Sequence, residues 1–229
     1  MTLLPSLLSL DHSPAITPAS ADPFAGLRPR SRAAWRLVEH LGGERRSAEE
    51  FITRRYRDSF GADIEAFMPR LFTLRDSGGA ICGALGLRSA HHRLFAERYL
   101  AVSVERAIAR SSGCAVERQA IVEVGHFCGA FAGAMRLLIE LLTERLHDEG
   151  QQWVAFTSTT ALRNAFTRVG LRPIDLGPAP AEKLSSDERR RWGRYYDHAP
   201  RVSAGRVEIG MRAFAQQRAP AGTSGEAGA

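Results

Sequence analysis

A carboxylate, a glycine and a histidine fall within four residues, Glu123-Val124-Gly125-His126, at the end of a short apolar run rich in β-branched residues. Gln119 to Val124 suits a buried strand. A carboxylate between Val122 and Val124 either has its pKa raised by desolvation or is held in an ion pair. Glu123 is therefore a candidate base, or one half of a structural pair with one of the many arginines. His126 is a second candidate base, or a histidine at a loop edge. Gly125 interrupts the strand, which marks a bulge or a close backbone approach by a ligand.

The elements that must position these groups follow directly. Gly129, Ala130, Ala132, Gly133 and Ala134 make a turn of small residues, and Met135, Leu138, Ile139, Leu142 and Leu146 then recur at helical spacing. A strand, a small-residue turn and a helix leave unpaired N–H groups and the positive dipole end open to a phosphate, or permit tight helix–sheet packing. Gly150 is placed to end the helix, and Trp153 to Phe156 begin the next strand.

The rest of the chain supplies a frame for that unit. Residues 32–39 read as a first strand, and Ser47 with Glu50 predicts a capped helix over Ala48–Phe60 with Phe51, Ile52 and Tyr56 inward. Residues 70–76 and 80–88 read as a hairpin joined at Ser77-Gly78-Gly79, and 94–110 as mainly helical. Leu171–Leu176 reads as a strand, 182–194 as a short arginine-rich helix, and Arg206–Phe214 as a last strand. The expected organisation is a flexible leader over 1–30, one α/β domain over 31–214 with a mixed central sheet flanked by helices, and a disordered tail over 215–229.

Composition sets outer bounds. The 229 residues suit one domain with a real core, and 44% hydrophobic with 24% charged residues is the balance of a globular chain. The net charge of +6 is almost wholly arginine, since Lys183 is the only lysine, and arginine suits phosphate or carboxylate partners. No lysine-dense run or aromatic-interleaved basic face points to nucleic acid. Cys82, Cys114 and Cys128 lack metal-ligand spacing and read as reduced thiols of a cytoplasmic protein, and no metal site is expected. No stretch has the length of a transmembrane helix; residues 3–10 lack the positive start of a secretory signal.

Longer words carry a resemblance. Val116–Leu171, with its bulged strand, small-residue turn and Phe166-Thr167-Arg168-Val169-Gly170-Leu171 ending, resembles the acyl-CoA-binding core of GNAT acyltransferases. FITRRYRDSFGADI (51–64), LFAERYL (94–100), IVEVGHF (121–127), WVAFTSTTALRNAFTRVGL (153–171) and WGRYYDHAP (192–200) resemble the thermostable hemolysin family, itself similar to GNAT and acyl-homoserine-lactone synthase folds. The resemblance implies acyl transfer from acyl-CoA or an acyl carrier to a small amine. Glu123 and His126 would then be bases, and the backbone of Val124 and Gly125 would polarise the thioester carbonyl. Ala132, Gly133 and Ala134 would meet the donor's phosphates, with Arg168 nearby, while Thr157, Thr159 and Asn164 would bind the pantetheine arm or cap the helix. Phe166 stands where many GNAT enzymes carry a tyrosine that protonates the thiolate; it has no hydroxyl, and Tyr195 or Tyr196 would be the substitute, Tyr195 being the candidate taken here. The alternatives are a membrane-active hemolysin, as the family name implies, and a donor-binding module without catalysis.

Overall fold

A computed structural model describes residues 34–218; the proposed leader over 1–30 lies outside them. Seven strands form one sheet in the order β1-β2-β3-β4-β5-β7-β6. They are β1 (Arg36–His40), β2 (Arg70–Arg75), β3 (Ile81–Ser89), β4 (Ile121–Gly129), β5 (Trp153–Ser158), β6 (Ile174–Pro178) and β7 (Arg201–Arg206). Only β4 and β5 run parallel, linked by the crossover helix α3 (Ala132–Asp148); every other pair is antiparallel. A two-residue turn suffices for an antiparallel pair, whereas a parallel pair needs such a crossover.

Helices cover both faces. The α3 stripe packs Ala134, Leu138, Leu142 and Leu146 against Phe72, Leu74, Leu85, Val122, Val124 and Phe156. The other face carries α1 (Arg46–Phe60), whose Phe51, Ile52 and Tyr56 meet Leu71, Ala84 and Cys128. The remaining helices are α2 (Val104–Ser112), α4 (Thr160–Arg168), α5 (Ser186–Trp192) and α6 (Val207–Arg218), the last packed on α3.

Three expected elements differ. Ser47 caps nothing, because the 3-10 turn Gly42–Arg45 runs straight into α1 and leaves Ser47 inside the helix. Residues 94–110 split into a 3-10 turn (Ala96–Arg98) and α2, joined where the Glu97 carboxylate accepts from the amides of Leu94 and Val104. The strand expected at Arg206–Phe214 is β7 ending at Arg206, followed by α6, which runs on through residues 215–218 of the expected tail. Val207, Gly210 and Phe214 are buried at helical spacing there.

Candidate active site

β4 changes partners halfway. Ile121 to Val124 pair with Trp153 to Phe156 of β5, and the pairing stops there. On its other edge β4 stays with β3, but Gly125 faces Gly86 while Cys128 faces Ala84, so β4 holds one extra residue. That bulge is at His126, whose φ is +54°. A left-handed backbone is uncommon for a side chain of this size, and the extra residue changes which way the chain faces. Glu123 and Gly125 face the α1 side, where the strand's alternation alone would send His126 to the opposite face. The bulge returns it to the α1 side, with its ring against Tyr56 and Phe67. Phe127 then points to the α3 side and Cys128 back to α1.

Where β4 and β5 part, a cavity of roughly 580 Å³ is lined from both faces of the sheet. Tyr56, Phe60, Phe67, His126, Trp192 and Tyr195 border it on the α1 side. Ile139, Leu142, Leu146, Phe156, Phe166 and Val207 border it on the α3 side. Gly125 lies at the join, and a side chain there would collide with the Met68 methyl group.

The titratable groups are held in distinct states. His126 Nδ1 is buried without a partner, and burial, then the charge of Arg88, push the imidazole down to about 4. It is neutral at neutral pH, with an acceptor lone pair available on one ring nitrogen. Glu123 is engaged: its carboxylate accepts from the amides of Ala96 at 2.7 Å and Phe95 at 3.0 Å, with Arg88 at 3.6 Å. Burial nevertheless pushes its carboxyl up. Tyr195 donates to the carbonyl of Thr157, just past the last β4–β5 pair, and burial raises its hydroxyl well above the ordinary range. Cys128 is pushed up to about 12 by burial, so the thiol stays protonated.

The other expected site residues divide. Val124, Gly125, Thr157, Thr159, Phe166 and Arg168 line the cavity. Thr159 also caps α4 by accepting from the amide of Leu162, and Phe166 stacks on Phe156 with ring centroids 5.0 Å apart. Asn164 is exposed and does not border the cavity. Ala132 opens α3, Gly133 is exposed on its first turn, and Ala134 is fully buried in the core. Neither Gly133 nor Ala134 borders the cavity, which meets α3 at Met135. The α3 start is uncapped by any side chain, Ala130 donates to Cys82, and Ala134 donates to Phe131. Among the described residues no group of three His, Cys, Asp or Glu side chains is placed to hold a metal ion.

The sequence reading missed the wall supplied by α1. Arg55 lies at the spacing of Phe51, Ile52 and Tyr56, and a charge on a buried stripe was the available signal. Trp192 borders the cavity because Gly193, at φ +53°, turns the chain so that Arg194 donates to the carbonyl of Phe60.

Residues 38–211 match the family model described as thermostable hemolysin, and the chain belongs to that family. Three solved structures share its fold at low identity. FeeM, an N-acyl amino acid synthase from uncultured soil microbes, is 15% identical with a TM-score of 0.52, over 80% of this chain and 98% of that one. BjaI, a CoA-dependent acyl-homoserine lactone synthase solved with SAM and isopentyl-CoA, is 13% identical with a TM-score of 0.51, over 79% and 88%. TofI in an apo form is 16% identical with a TM-score of 0.51, over 77% and 96%. Comparison with curated proteins gives no match.

Proposed function

We propose that this chain transfers an acyl group from a thioester, acyl-CoA or an acyl carrier, to a small amine. One observation carries the reading: β4 leaves β5 at a bulge that turns His126 into a cavity lined from both faces of the sheet. Beyond Val124 the backbone groups on that edge of β4 have no β5 partner. They can meet a thioester carbonyl, and N–H donors so placed stabilise the oxyanion as it forms. The aliphatic α3 side suits the acyl chain, and the aromatic α1 side suits the amine.

In this reading the amine nitrogen bonds to the carbonyl carbon and the carbon–sulfur bond breaks. His126 is too weak a base to deprotonate a free ammonium. It accepts the proton after attack, when the bound nitrogen has become acidic. Tyr195 is the proton donor to the leaving thiolate, held at the rim of the cleft by Thr157. Glu123 positions rather than reacts, since its two amide bonds seat residues 95–96 against β4.

The lytic activity in the family's description has less support. Among the described residues the exposed large apolar side chains are Leu41 and Ile209, far apart in sequence, and no helix is long and apolar enough to cross a membrane. The test is thiol release by purified protein from acetyl- to palmitoyl-CoA against an amine panel, run beside dye release from liposomes. Thiol release that needs the amine is expected. Dye release without thiol release would overturn the reading.

A further inference from the structure

Arg55 stands on the buried face of α1. Phe51, Ile52 and Tyr56 are buried on that face, and Arg55, three residues past Ile52 and four past Phe51, shares it. Its Nε is buried and has no hydrogen-bond partner. A guanidinium donor removed from water and left unmet is costly, so the site is incomplete as the protein stands alone.

Nothing acidic along the cavity completes it. Four acidic side chains share its wall with Arg55: Asp63, Glu65, Glu123 and Glu188. Asp63 pairs with Arg57, Glu65 with Arg191, and Glu188 with Arg98. Glu123 is taken by Arg88 and the amides of Phe95 and Ala96. The charge of Arg55 instead reaches Cys128, which lies two residues beyond His126 and on the same face of β4. Arg55 and His126 both line the cavity, so an unmet guanidinium donor and an unmet imidazole nitrogen border one compartment.

We propose that the acceptor is an amino-acid-type molecule, with Arg55 receiving its carboxylate and so placing its amine at His126. The proposal rests on the acyl-transfer reading and names its substrate class. The geometry of the group favours it: a planar guanidinium meets a carboxylate with two parallel hydrogen bonds, which fixes orientation as well as charge. The amine then points along the face of β4 toward the cleft.

The test uses matched acceptors, phenylalanine with phenethylamine and leucine with isoamylamine, in a thiol-release assay of the full chain. The wild type should favour the amino acid in kcat/KM by roughly tenfold to a hundredfold, the range for one charge-assisted contact. Arg55→Gln should remove that preference by raising the amino acid's KM toward that of the plain amine, with donor KM unmoved, and Arg55→Lys should restore part of it. Equal use of both members by the wild type, or a preference that survives Arg55→Gln, would overturn the proposal. So would a rise in donor KM, which would place the donor's phosphates at Arg55.

If no pair releases thiol, acyl transfer itself fails, and calorimetric binding decides the carboxylate site separately. N-acyl-phenylalanine binding tighter than N-acyl-phenethylamine, with the difference lost in Arg55→Gln, would keep the site; equal binding would remove it. Arg55→Gln should melt no lower than the wild type, because the charge it removes is unpaired.

Discussion

The two sides of the cavity are built from different chemistry, although they meet at one strand. The α1 side is a wall of rings with polar atoms among them: Tyr56 stacks on Tyr195 at an interplanar angle of 21°, Phe60 meets Tyr195 edge-on, and His126 touches Tyr56 and Phe67. The α3 side is aliphatic, drawn from Ile139, Leu142, Leu146 and Val207, with Phe156 and Phe166 stacked at its edge. The first can hold and orient a small polar molecule, and the second can only shelter an apolar one. The bulge at His126 joins them, since it opens β4 from β5 and turns the imidazole toward the polar side.

The comparison breaks most severely at His126. His126→Asn keeps a residue that tolerates a left-handed backbone, so the fold should survive. Turnover should fall by about a hundredfold to ten-thousandfold, with donor binding intact, as read by single-turnover thiol release and calorimetry. Unchanged turnover would remove the imidazole from the chemistry.

On the other side, Leu142→Phe narrows the aliphatic half without touching the polar one. Discrimination against long acyl chains should rise by roughly tenfold or more, read as kcat/KM along an acyl-CoA series, with acceptor KM unmoved. A uniform loss at every chain length would show instead a packing defect in the core. Tyr195→Phe keeps the ring stack and removes the hydroxyl that Thr157 accepts. It should cost about 1 kcal/mol in chemical unfolding and slow thiolate release, most visibly at high pH, where solvent supplies the missing proton least readily.

Glu123 marks the boundary between holding and reacting. Glu123→Gln keeps one acceptor oxygen for the amides of Phe95 and Ala96, and should lower stability by about 1–3 kcal/mol. Turnover should fall no further than the loss of folded protein explains. A large loss of turnover in a stable variant would return Glu123 to the role of base.

The smallest effect is a pH slope. The folded pKa of His126 is about 4 against an ordinary 6.5, so folding favours the neutral ring. That contribution is fully present above pH 6.5 and is lost as pH falls through about 4. Glu149, held at about 2 by its bond to Arg70, adds stability above pH 4.5 that is lost below it. Melting of His126→Asn should therefore depend less on pH between 6.5 and 4 than melting of the wild type.

How much of this was legible varied with the length of the signal. The β4–α3–β5 unit was plain because Met135, Leu138, Leu142 and Leu146 hold helical period over three turns between two β-branched runs. The end of the chain was not. Val207, Ile209 and Met211 alternate like a strand, yet Val207, Gly210 and Phe214 are the buried set and Ile209 is exposed. Eight residues fit both periods, and packing of α6 on α3 decided between them.

Capping shows the same dependence on context. Ser47-x-x-Glu50 and Ser185-x-x-Glu188 are the same pattern, but only the second forms the capping box, because Ser185 has extended backbone and Ser47 follows an existing turn. For the proposed site, Glu123, Gly125 and His126 were singled out because their types are unusual where they stand, and Tyr195 only because Phe166 lacks the hydroxyl that the resemblance called for. Their relation was not legible, since a bulge alters facing without altering composition. The α1 wall was hidden for a simpler reason: Tyr56 and Phe60 look like ordinary core at helical spacing, and Arg55 was passed over as one arginine among many.

Hydrogen–deuterium exchange with and without octanoyl-CoA tests the central claim most directly, that the donor enters between β4 and β5. The account predicts slowed exchange on both lips of the cleft, Gly125–Gly129 and Thr157–Thr159, together with the α3 segment around Leu142. Protection confined to other surfaces, or none at saturating donor, would contradict it.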